Sequence, residues 1–394
     1  MLTADAPQLP AGVEFDVAVI GGGIQGAGTA QATAAAGYRT LLIERDEWAS
    51  ATSRWSSKLV HGGLRYLESA QFKLVYHSLQ ERQRLFRNAP DLVKPVKFFI
   101  PIYRRTQRRP WQIRAGLSLY ALFTGLQPQA SFRSVPRREW DTLGGIHQEE
   151  LQAVFQYWDG QTDDAALTRA VMHSAQSLHA TTLAHSELLA LRATAQRFEL
   201  DLRTGDDAWQ CSARAVVNAT GPWVNALLQR CEPRPAARAL SFVKGTHIVL
   251  PPAALPGIFY LEAPRDGRAV FVMPWRGNTL VGTTEMEIDG PAAPPSQMEI
   301  DYLLETVRAY FPALDCSVID SFAGVRVLPA GDGRAFNRAR ESVIENFDAA
   351  GAPLISIYGG KLTTYRHTAE QVTQLIEEAI GKRNAVADTR TLRL

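Results

Sequence analysis

The chain has 394 residues, 46% of them hydrophobic and 21% charged, and carries a formal net charge of +2 at pH 7. Such a composition is typical of a soluble enzyme with about two or three domains and excludes a disordered or fibrous chain. The near-neutral charge gives no general electrostatic argument for binding to nucleic acid or membranes. The sequence has three cysteines and no C-x-x-C pair, so it predicts neither a disulfide framework nor a zinc site.

The amino-terminal residues 1–12 carry no basic start and no apolar core, so they do not resemble a signal peptide. No apolar run of roughly 18 residues occurs, which excludes a membrane-spanning helix. We therefore expect a cytoplasmic protein, and peripheral association with the inner face of the cell membrane stays open.

An apolar, strand-type run at residues 15–20 leads directly into the glycine spacing G-x-G-x-x-G. Gly21 permits a tight turn, Gly23 lets backbone amides approach a pyrophosphate, and Gly26 allows the next helix to lie close to the strand. Residues 41–43 predict a buried second strand ending in Glu44, where an acid hydrogen-bonds a ribose hydroxyl and disfavours a 2′-phosphate. The glycine motif alone would be weak evidence, but this full context predicts a dinucleotide site.

Two later segments extend the predicted nucleotide domain. Residues 183–202 alternate in polarity as a small β-meander does. An apolar strand at 213–217 ends in the sequence Asn-Ala-Thr-Gly-Pro-Trp at 218–223, which would bring backbone close to the cofactor. The nucleotide domain is therefore expected to be discontinuous in sequence.

A third strand is predicted late in the chain, at 354–357, and leads through Gly359 and Gly360 into a predicted helix at 362–380. The start of that helix would direct free amides and a partial positive charge towards the ring of the cofactor. The alternative is a plain structural turn, in which the glycines permit positive φ and Lys361 is solvated.

One block, S-S-K-L-V-H-G-G-L-R-Y-L at residues 56–67, is highly specific. With the other blocks it resembles the FAD-dependent glycerol-3-phosphate dehydrogenases, a branch of the glutathione-reductase-like flavoproteins related to the D-amino acid and sarcosine oxidases. The resemblance extends from residue 15 to about residue 370. The other blocks lie at residues 51–53, 218–223, 244–249, 271–275, 282–284, 324–326 and 359–366.

The resemblance implies an α/β fold with two domains. The first is a Rossmann-like FAD-binding domain with a central parallel sheet and a β-meander, formed by residues 14–85, 153–238 and 320–383. The second is a mainly antiparallel α+β substrate domain, formed by residues 86–152 and 239–319. Residues 1–13 and 384–394 are expected to be flexible ends.

The same resemblance implies noncovalently bound FAD, with the loop at residues 52–58 beside the isoalloxazine. The positions expected to bind the cofactor are Gly21, Gly23, Gly26, Glu44, Arg45, Thr52, Ser53, Ser57, Lys58, Leu59, Gly62, Ala219, Gly221, Gly359, Gly360, Lys361, Leu362 and Thr363.

The implied reaction is oxidation of sn-glycerol 3-phosphate to dihydroxyacetone phosphate, by hydride transfer from the alcohol carbon to N5 of FAD. A phosphorylated substrate needs fixed cations, and arginine binds phosphate bidentately. The positions expected to bind the substrate are Arg65, Tyr66 and Arg340, of which Arg340 aligns only with a gap. The positions expected to be catalytic are His247, Arg326 and Lys361.

Loss of the hydroxyl proton requires a base. His247 is the first candidate because an unperturbed histidine has a pKa near 6.5, whereas Lys361 would need burial or a neighbouring cation to lower its pKa from about 10.4. Arg326 would orient the substrate and stabilise developing alkoxide charge. The alternatives are a structural role for His247 between strands and core packing for Tyr66.

The chain also departs from the family pattern. Relatives usually continue into a further helical domain after the late helix, whereas only residues 381–394 follow it here. Val327 stands where the family commonly has proline, and Ala166 stands where arginine is usual. These departures keep open an FAD-dependent oxidase or dehydrogenase of another small hydroxy or amino compound. A non-catalytic FAD-binding or basic surface-docking protein is a third hypothesis, against which the joint retention of His247, Arg326 and Lys361 argues.

Residues 92–138 contain ten basic residues and no acidic residue, and apolar side chains are interleaved with the basic ones. One interpretation is a helix on an anionic membrane, where electrons would pass to quinone or another acceptor. A second is a solvated basic helix that covers apolar core. Nucleic acid is a third but is not expected, because no recognised binding fold accompanies the arginines.

Overall fold

The structure is a computed structural model that describes residues 12–125, 131–330 and 342–394. Its strands are β1 (Val13–Ile20), β2 (Thr40–Ile43), β3 (Leu59–Val60), β4 (Val93–Tyr103), β5 (Arg133–Ser134), β6 (Leu151–Thr162), β7 (Thr181–Leu183), β8 (Ser186–Thr194), β9 (Arg197–Thr204), β10 (Asp207–Asn218), β11 (Cys231–Glu232), β12 (Leu240–Leu250), β13 (Ile258–Glu262), β14 (Ala269–Trp275), β15 (Asn278–Gly282), β16 (Met286–Ile288), β17 (Asp320–Pro329), β18 (Val343–Ala349) and β19 (Ala352–Tyr358). Its α-helices are α1 (Ile24–Ala35), α2 (Phe72–Asn88), α3 (Pro110–Phe123), α4 (Asp164–Ser177), α5 (Val224–Leu228), α6 (Gln297–Tyr310) and α7 (Tyr365–Ile380).

The first sheet has β1 at its centre, between β10 and β2, and these three strands run parallel. Because β19 also pairs in parallel with β10, the carboxyl ends of β1, β2, β10 and β19 meet at one edge of the sheet. Strands β8, β9 and β10 form an antiparallel meander. The predicted Rossmann-like domain with a parallel sheet and a meander is confirmed.

Helix α1 packs closely because its buried face consists mostly of alanine, glycine and threonine. A Cβ atom added at Gly28 would lie 2.5 Å from the ring of Tyr365 in α7, so only glycine permits this approach. Helices α4 and α7 both contact α1 and cover the same face of the sheet. The core around them includes Val17, Leu42 and Val217, the central residues of the parallel strands.

The second sheet follows the order β16-β12-β15-β14-β13-β4-β6-β3, with β17 paired to β12 and β5 to β6. Its pairs are antiparallel except for β13 with β4, as the predicted mainly antiparallel substrate domain requires. Helix α6 packs on one face through Leu303 and Val307. Helices α2 and α3 cover the other face, where Leu79 and Leu117 are buried.

Sheet membership departs from the predicted division of the chain in three places. One is β3, where Leu59 and Val60 pair with β6 in the second sheet although residues 14–85 were expected in the FAD-binding domain. Strand β17 pairs with β12 from Asp320 to Pro329, so it belongs to the second sheet although residue 320 was expected to begin the last FAD-domain segment. Strand β6 also belongs to the second sheet, up to Thr162 rather than to residue 152. Pairing between strands separated by many residues decides these limits, and local composition does not reveal it.

The carboxyl-terminal segment 384–394, expected to be flexible, is held against the ends of α1 and α2. The amide of Val386 donates to the carbonyl of Ala35 at 2.8 Å, and the amide of Leu394 donates to the carbonyl of Asn88 at 2.7 Å. Of the other expected flexible end, residues 1–11 lie outside the described residues, and Val13 already belongs to β1. Within the described ranges, no helix is both long and apolar enough to cross a membrane.

Candidate active site

A cavity of about 370 Å³ opens at the carboxyl edge of the first sheet and extends beneath the second. Ile20, Ile43, Ala219 and Gly359, which lie at or just after the ends of β1, β2, β10 and β19, line one side of it. The other side is lined from the second sheet by His247 of β12 and by residues of β17. Ligands bind at this edge in open α/β sheets, so the fold places a cofactor site and a reaction site in one space.

The glycine turn after β1 has the geometry that the motif predicts. Gly21 has φ +112°, and a Cβ atom there would lie 2.6 Å from the carbonyl oxygen of Ala219. A Cβ atom at Gly26 would lie 1.7 Å from the carbonyl oxygen of Gly21. A larger residue at Gly26 would therefore push α1 away from the turn, and one at Gly21 would clash with the chain just after β10.

The carboxylate of Glu44 is held at the end of β2 by backbone amides. Gly22 donates to Glu44 Oε2 at 2.6 Å, and Asp46 donates to Glu44 Oε1 at 2.8 Å. This positions the acid at the cavity wall, where it was expected to meet a ribose hydroxyl.

The loop after β2 joins the two domains beside the first turn of α1. Ser53 Oγ accepts from the amide of Ile24 at 2.9 Å, and Thr52 Oγ1 donates to the carbonyl of Val325 in β17 at 2.7 Å. In the same region, Gln25 Oε1 is buried without a partner among the described residues. A Cβ atom at Gly360, where φ is +98°, would lie 2.4 Å from Gln25 Nε2. A narrow cradle with an unsatisfied acceptor fits a polar, extended cofactor such as FAD.

Most of the positions expected to bind the cofactor line this cavity. They are Gly21, Gly23, Glu44, Arg45, Thr52, Ser53, Ser57, Leu59, Ala219, Gly221, Gly359, Gly360, Lys361, Leu362 and Thr363.

Gly26, Lys58 and Gly62 do not line the cavity. Gly26 serves the helix packing described above. Lys58 is 6% exposed, and its Nζ lies 2.8 Å from Asp164 Oδ1, because a buried ammonium needs a carboxylate partner. Gly62 donates its amide to Tyr120 Oη at 2.8 Å inside the core of the second domain.

His247 is buried, with 2% of its surface exposed, and its ring stacks on Phe322 at 4.9 Å between centroids. Its Nε2 lies 3.0 Å from Ser57 Oγ, and its Nδ1 has no partner among the described residues. Burial, together with the positive charges of Lys58 and Arg326, lowers the pKa of His247 from 6.5 to about 3. The pKa of His247 therefore lies well below the unperturbed value that made it the first candidate for the base, and the imidazole is neutral at physiological pH.

The expected cations gather around the same end of the cavity. Lys361 Nζ lies 3.8 Å from the centroid of the Tyr66 ring, and Arg65 Nη2 lies 3.5 Å from Tyr66 Oη. Arg326 lines the cavity next to the expected flavin loop, whereas Arg65 lies behind Tyr66. Arg340 lies outside the described residues.

Two functional features were missed in the sequence. Glu285 lies 3.7 Å from Arg65 Nη2 and 3.4 Å from Arg326 Nη2 through the same oxygen, Oε1. In the sequence, Glu285 could have been noticed because it directly follows the family block at residues 282–284. Phe322, which stacks on His247, could not be identified, since its contact depends on the pairing of β12 with β17.

Comparison with known proteins agrees with this geometry. The family model of the FAD-dependent oxidoreductases (DAO) matches residues 16–366. A glycerol-3-phosphate dehydrogenase from Synechocystis sp. is 38% identical over 392 residues, covering 93% of this chain and 70% of that protein. The D-erythritol 1-phosphate dehydrogenase of Brucella abortus is 35% identical, covering 90% of this chain and 72% of that protein.

Among solved structures, the glycerol-3-phosphate dehydrogenase from Bacillus halodurans complexed with FAD superposes with a TM-score of 0.75 at 28% identity. The alignment covers 97% of this chain and 68% of that chain. The match extends over both domains, and the cavity lies at the carboxyl ends of the parallel strands, where this kind of fold binds ligands. The chain belongs to the FAD-dependent oxidoreductases of the DAO family, in the branch of the glycerol-3-phosphate dehydrogenases.

Proposed function

We propose that this protein oxidises sn-glycerol 3-phosphate to dihydroxyacetone phosphate. The observation that carries the proposal is a cavity lined by Arg326, Lys361 and a buried, neutral His247, with Arg65 linked to Arg326 through Glu285 behind the lining. A phosphate monoester carries a charge of about −1.5 to −2 at pH 7, and such a cluster binds it favourably. When bound, FAD supplies a two-electron acceptor at N5 for the hydride of the alcohol carbon.

His247 is the proposed acceptor of the hydroxyl proton. When its Nε2–H donates to Ser57 Oγ, its Nδ1 presents a lone pair that no described residue occupies. Burial and the charges of Lys58 and Arg326 disfavour the imidazolium, which makes His247 a weak base in the free protein. Lys361 is kept as the alternative base because it lines the same cavity.

We expect anaerobic addition of sn-glycerol 3-phosphate to the purified holoprotein to bleach the flavin band near roughly 450 nm. D-erythritol 1-phosphate and glycine serve as comparison compounds, since a relative acts on the first and the fold also occurs in amino acid oxidases. The proposal is supported if sn-glycerol 3-phosphate bleaches the flavin at a lower concentration than either comparison compound does. Bleaching only by another compound would replace the substrate, and flavin that no compound reduces would favour a non-catalytic FAD-binding protein.

An exposed apolar surface supports the further proposal of contact with an anionic membrane, where quinone would accept the electrons. The side chains of Phe72 and Tyr76 in α2 are each 46% exposed, and those of Trp111 and Leu122 in α3 are 70% and 60% exposed. Arg114, also exposed, lies on α3 between the last two. Apolar side chains next to arginine favour an interfacial helix over a merely solvated one.

We expect the protein to sediment with vesicles that contain anionic lipid at low salt and to be released as salt screens the arginines. The double variant Trp111→Ser/Leu122→Ser should lose this binding, because it removes the apolar contact while leaving the charges. Zwitterionic vesicles are the control for charge. Failure of the wild-type protein to sediment with anionic vesicles at low salt would contradict the membrane proposal.

A further inference from the structure

Glu285 is an acid in the middle of a cationic site. Its side chain is 8% exposed, and its Oε1 lies 3.7 Å from Arg65 Nη2 and 3.4 Å from Arg326 Nη2. Arg65 comes from the turn before α2, whereas Arg326 comes from β17, so one carboxylate oxygen bridges two parts of the chain. Two guanidinium groups this close would otherwise repel each other.

The backbone around Glu285 is anchored on both sides. The amide of Thr284 donates to the carbonyl of Thr246 at 3.2 Å, and Arg268 Nη1 donates to the carbonyl of Glu285 itself at 2.8 Å. Thr284 Oγ1 also donates to Glu299 at 2.7 Å. The carboxylate is therefore presented from a fixed point, as a residue that positions other side chains must be.

The charge of the cluster also bears on binding. Arg65 and Arg326 both lie within ion-pair distance of Glu285, so the carboxylate offsets part of their mutual repulsion. Two guanidinium groups held together in this way can bind a phosphate through several hydrogen bonds. Burial by itself lowers the pKa of Arg65, but Tyr66 and Glu285 raise it above the ordinary value, so the guanidinium stays charged.

We propose that Glu285 is a positioning residue that holds the guanidinium groups of Arg65 and Arg326 side by side and so makes the site selective for a phosphate dianion. This inference rests on the proposed function, since it assigns the anion-binding end of the same site. The opposite role is conceivable for an acid here: a carboxylate can compete with the substrate for the arginines. The two roles predict opposite effects of removing the charge.

The test compares Glu285→Gln and Glu285→Asp with the wild-type holoenzyme, using sn-glycerol 3-phosphate as substrate and inorganic phosphate as competitive inhibitor. We expect Glu285→Gln to retain FAD and to lower kcat/KM roughly 10- to 100-fold, because misplaced binding groups cost about that much. Inhibition by phosphate should weaken although the site has gained positive charge. Glu285→Asp, which keeps the carboxylate, should have an intermediate kcat/KM.

Glu287→Gln is the matched control, because Glu287 is exposed two residues further along the same segment, and it should behave as the wild type. Tighter phosphate inhibition and a lower KM in Glu285→Gln would show that the Glu285 carboxylate competes with the substrate, and this would overturn the positioning role. Unchanged kcat/KM and phosphate inhibition would overturn it as well. If Glu285→Gln does not hold FAD, Glu285→Asp decides, and wild-type constants for it would overturn the inference. Wild-type enzyme that no polyol phosphate reduces would instead overturn the proposed function.

Discussion

Replacement of Arg326 by alanine is expected to lower kcat/KM for sn-glycerol 3-phosphate by roughly 100- to 1000-fold, the usual effect of removing one preorganised donor from a reaction site. Arg326 lines the cavity, and its Nη2 lies 3.4 Å from Glu285. The side chain belongs to the second sheet, whereas the glycine turns that fit FAD belong to the first. Flavin content per protein should therefore be unchanged, and turnover alone should fall.

The measurement is steady-state turnover together with the flavin absorbance of the purified Arg326→Ala protein. Arg276→Ala is the control, because Arg276 is an arginine on the same sheet with a side chain that is 68% exposed and pairs with Asp163 at the surface. It should have wild-type constants, since exposed ion pairs contribute little. Turnover of Arg326→Ala at the wild-type rate would remove Arg326 from the site.

Replacement of His247 by asparagine is expected to lower kcat by roughly 100- to 10,000-fold, the range for loss of a positioned general base. The amide oxygen of asparagine can accept a hydrogen bond, but it is far less basic than the Nδ1 atom of histidine and so cannot take up the proton. The exposed His185, which pairs with Glu47, supplies the control His185→Asn. If Lys361→Met lowers kcat far more than His247→Asn does, Lys361 is the base and the assignment to His247 is wrong.

The pH dependence of kcat/KM provides a second test of His247, because it reports ionisations of the free enzyme. The pKa of about 3 means that the protonated form of His247, which cannot accept a proton, becomes dominant only below about pH 3. Above that pH the base is in its active form, so kcat/KM should show no loss on the acid side near pH 6.5 that is due to His247. A wild-type acid limb with a midpoint near 6.5 that disappears in His247→Asn would contradict the lowered pKa.

Local sequence was sufficient for the nucleotide half of the site. The positive φ of Gly21 and the close approach of Gly26 to the carbonyl oxygen of Gly21 are both set within the turn itself. Steric limits of this kind depend on residue type alone, so the turn, the second strand and Glu44 could be predicted without any tertiary information. The late strand and its Gly359-Gly360 turn follow the same logic.

The location of Lys58 and the pKa of His247 could not be predicted in this way, because both depend on contacts between residues far apart in the sequence. Lys58 pairs with Asp164, 106 residues away, which explains why it does not line the cavity. The pKa of His247 depends on its burial and on cations contributed by Lys58 and Arg326. Contacts between distant residues and the loss of water around a side chain are properties of the folded molecule, and no spacing in the sequence encodes them.

The sequence by itself therefore determined the Rossmann-like architecture, because the backbone sterics of its glycine turns act locally, and its family motifs predicted most of the residues that line the cavity. Only the tertiary structure decided which side chains meet at the reacting end: the Glu285 bridge between Arg65 and Arg326, and the neutral imidazole of His247. These depend on the pairing of β12 with β17 and on burial between the two sheets, where charge is stabilised only by a partner.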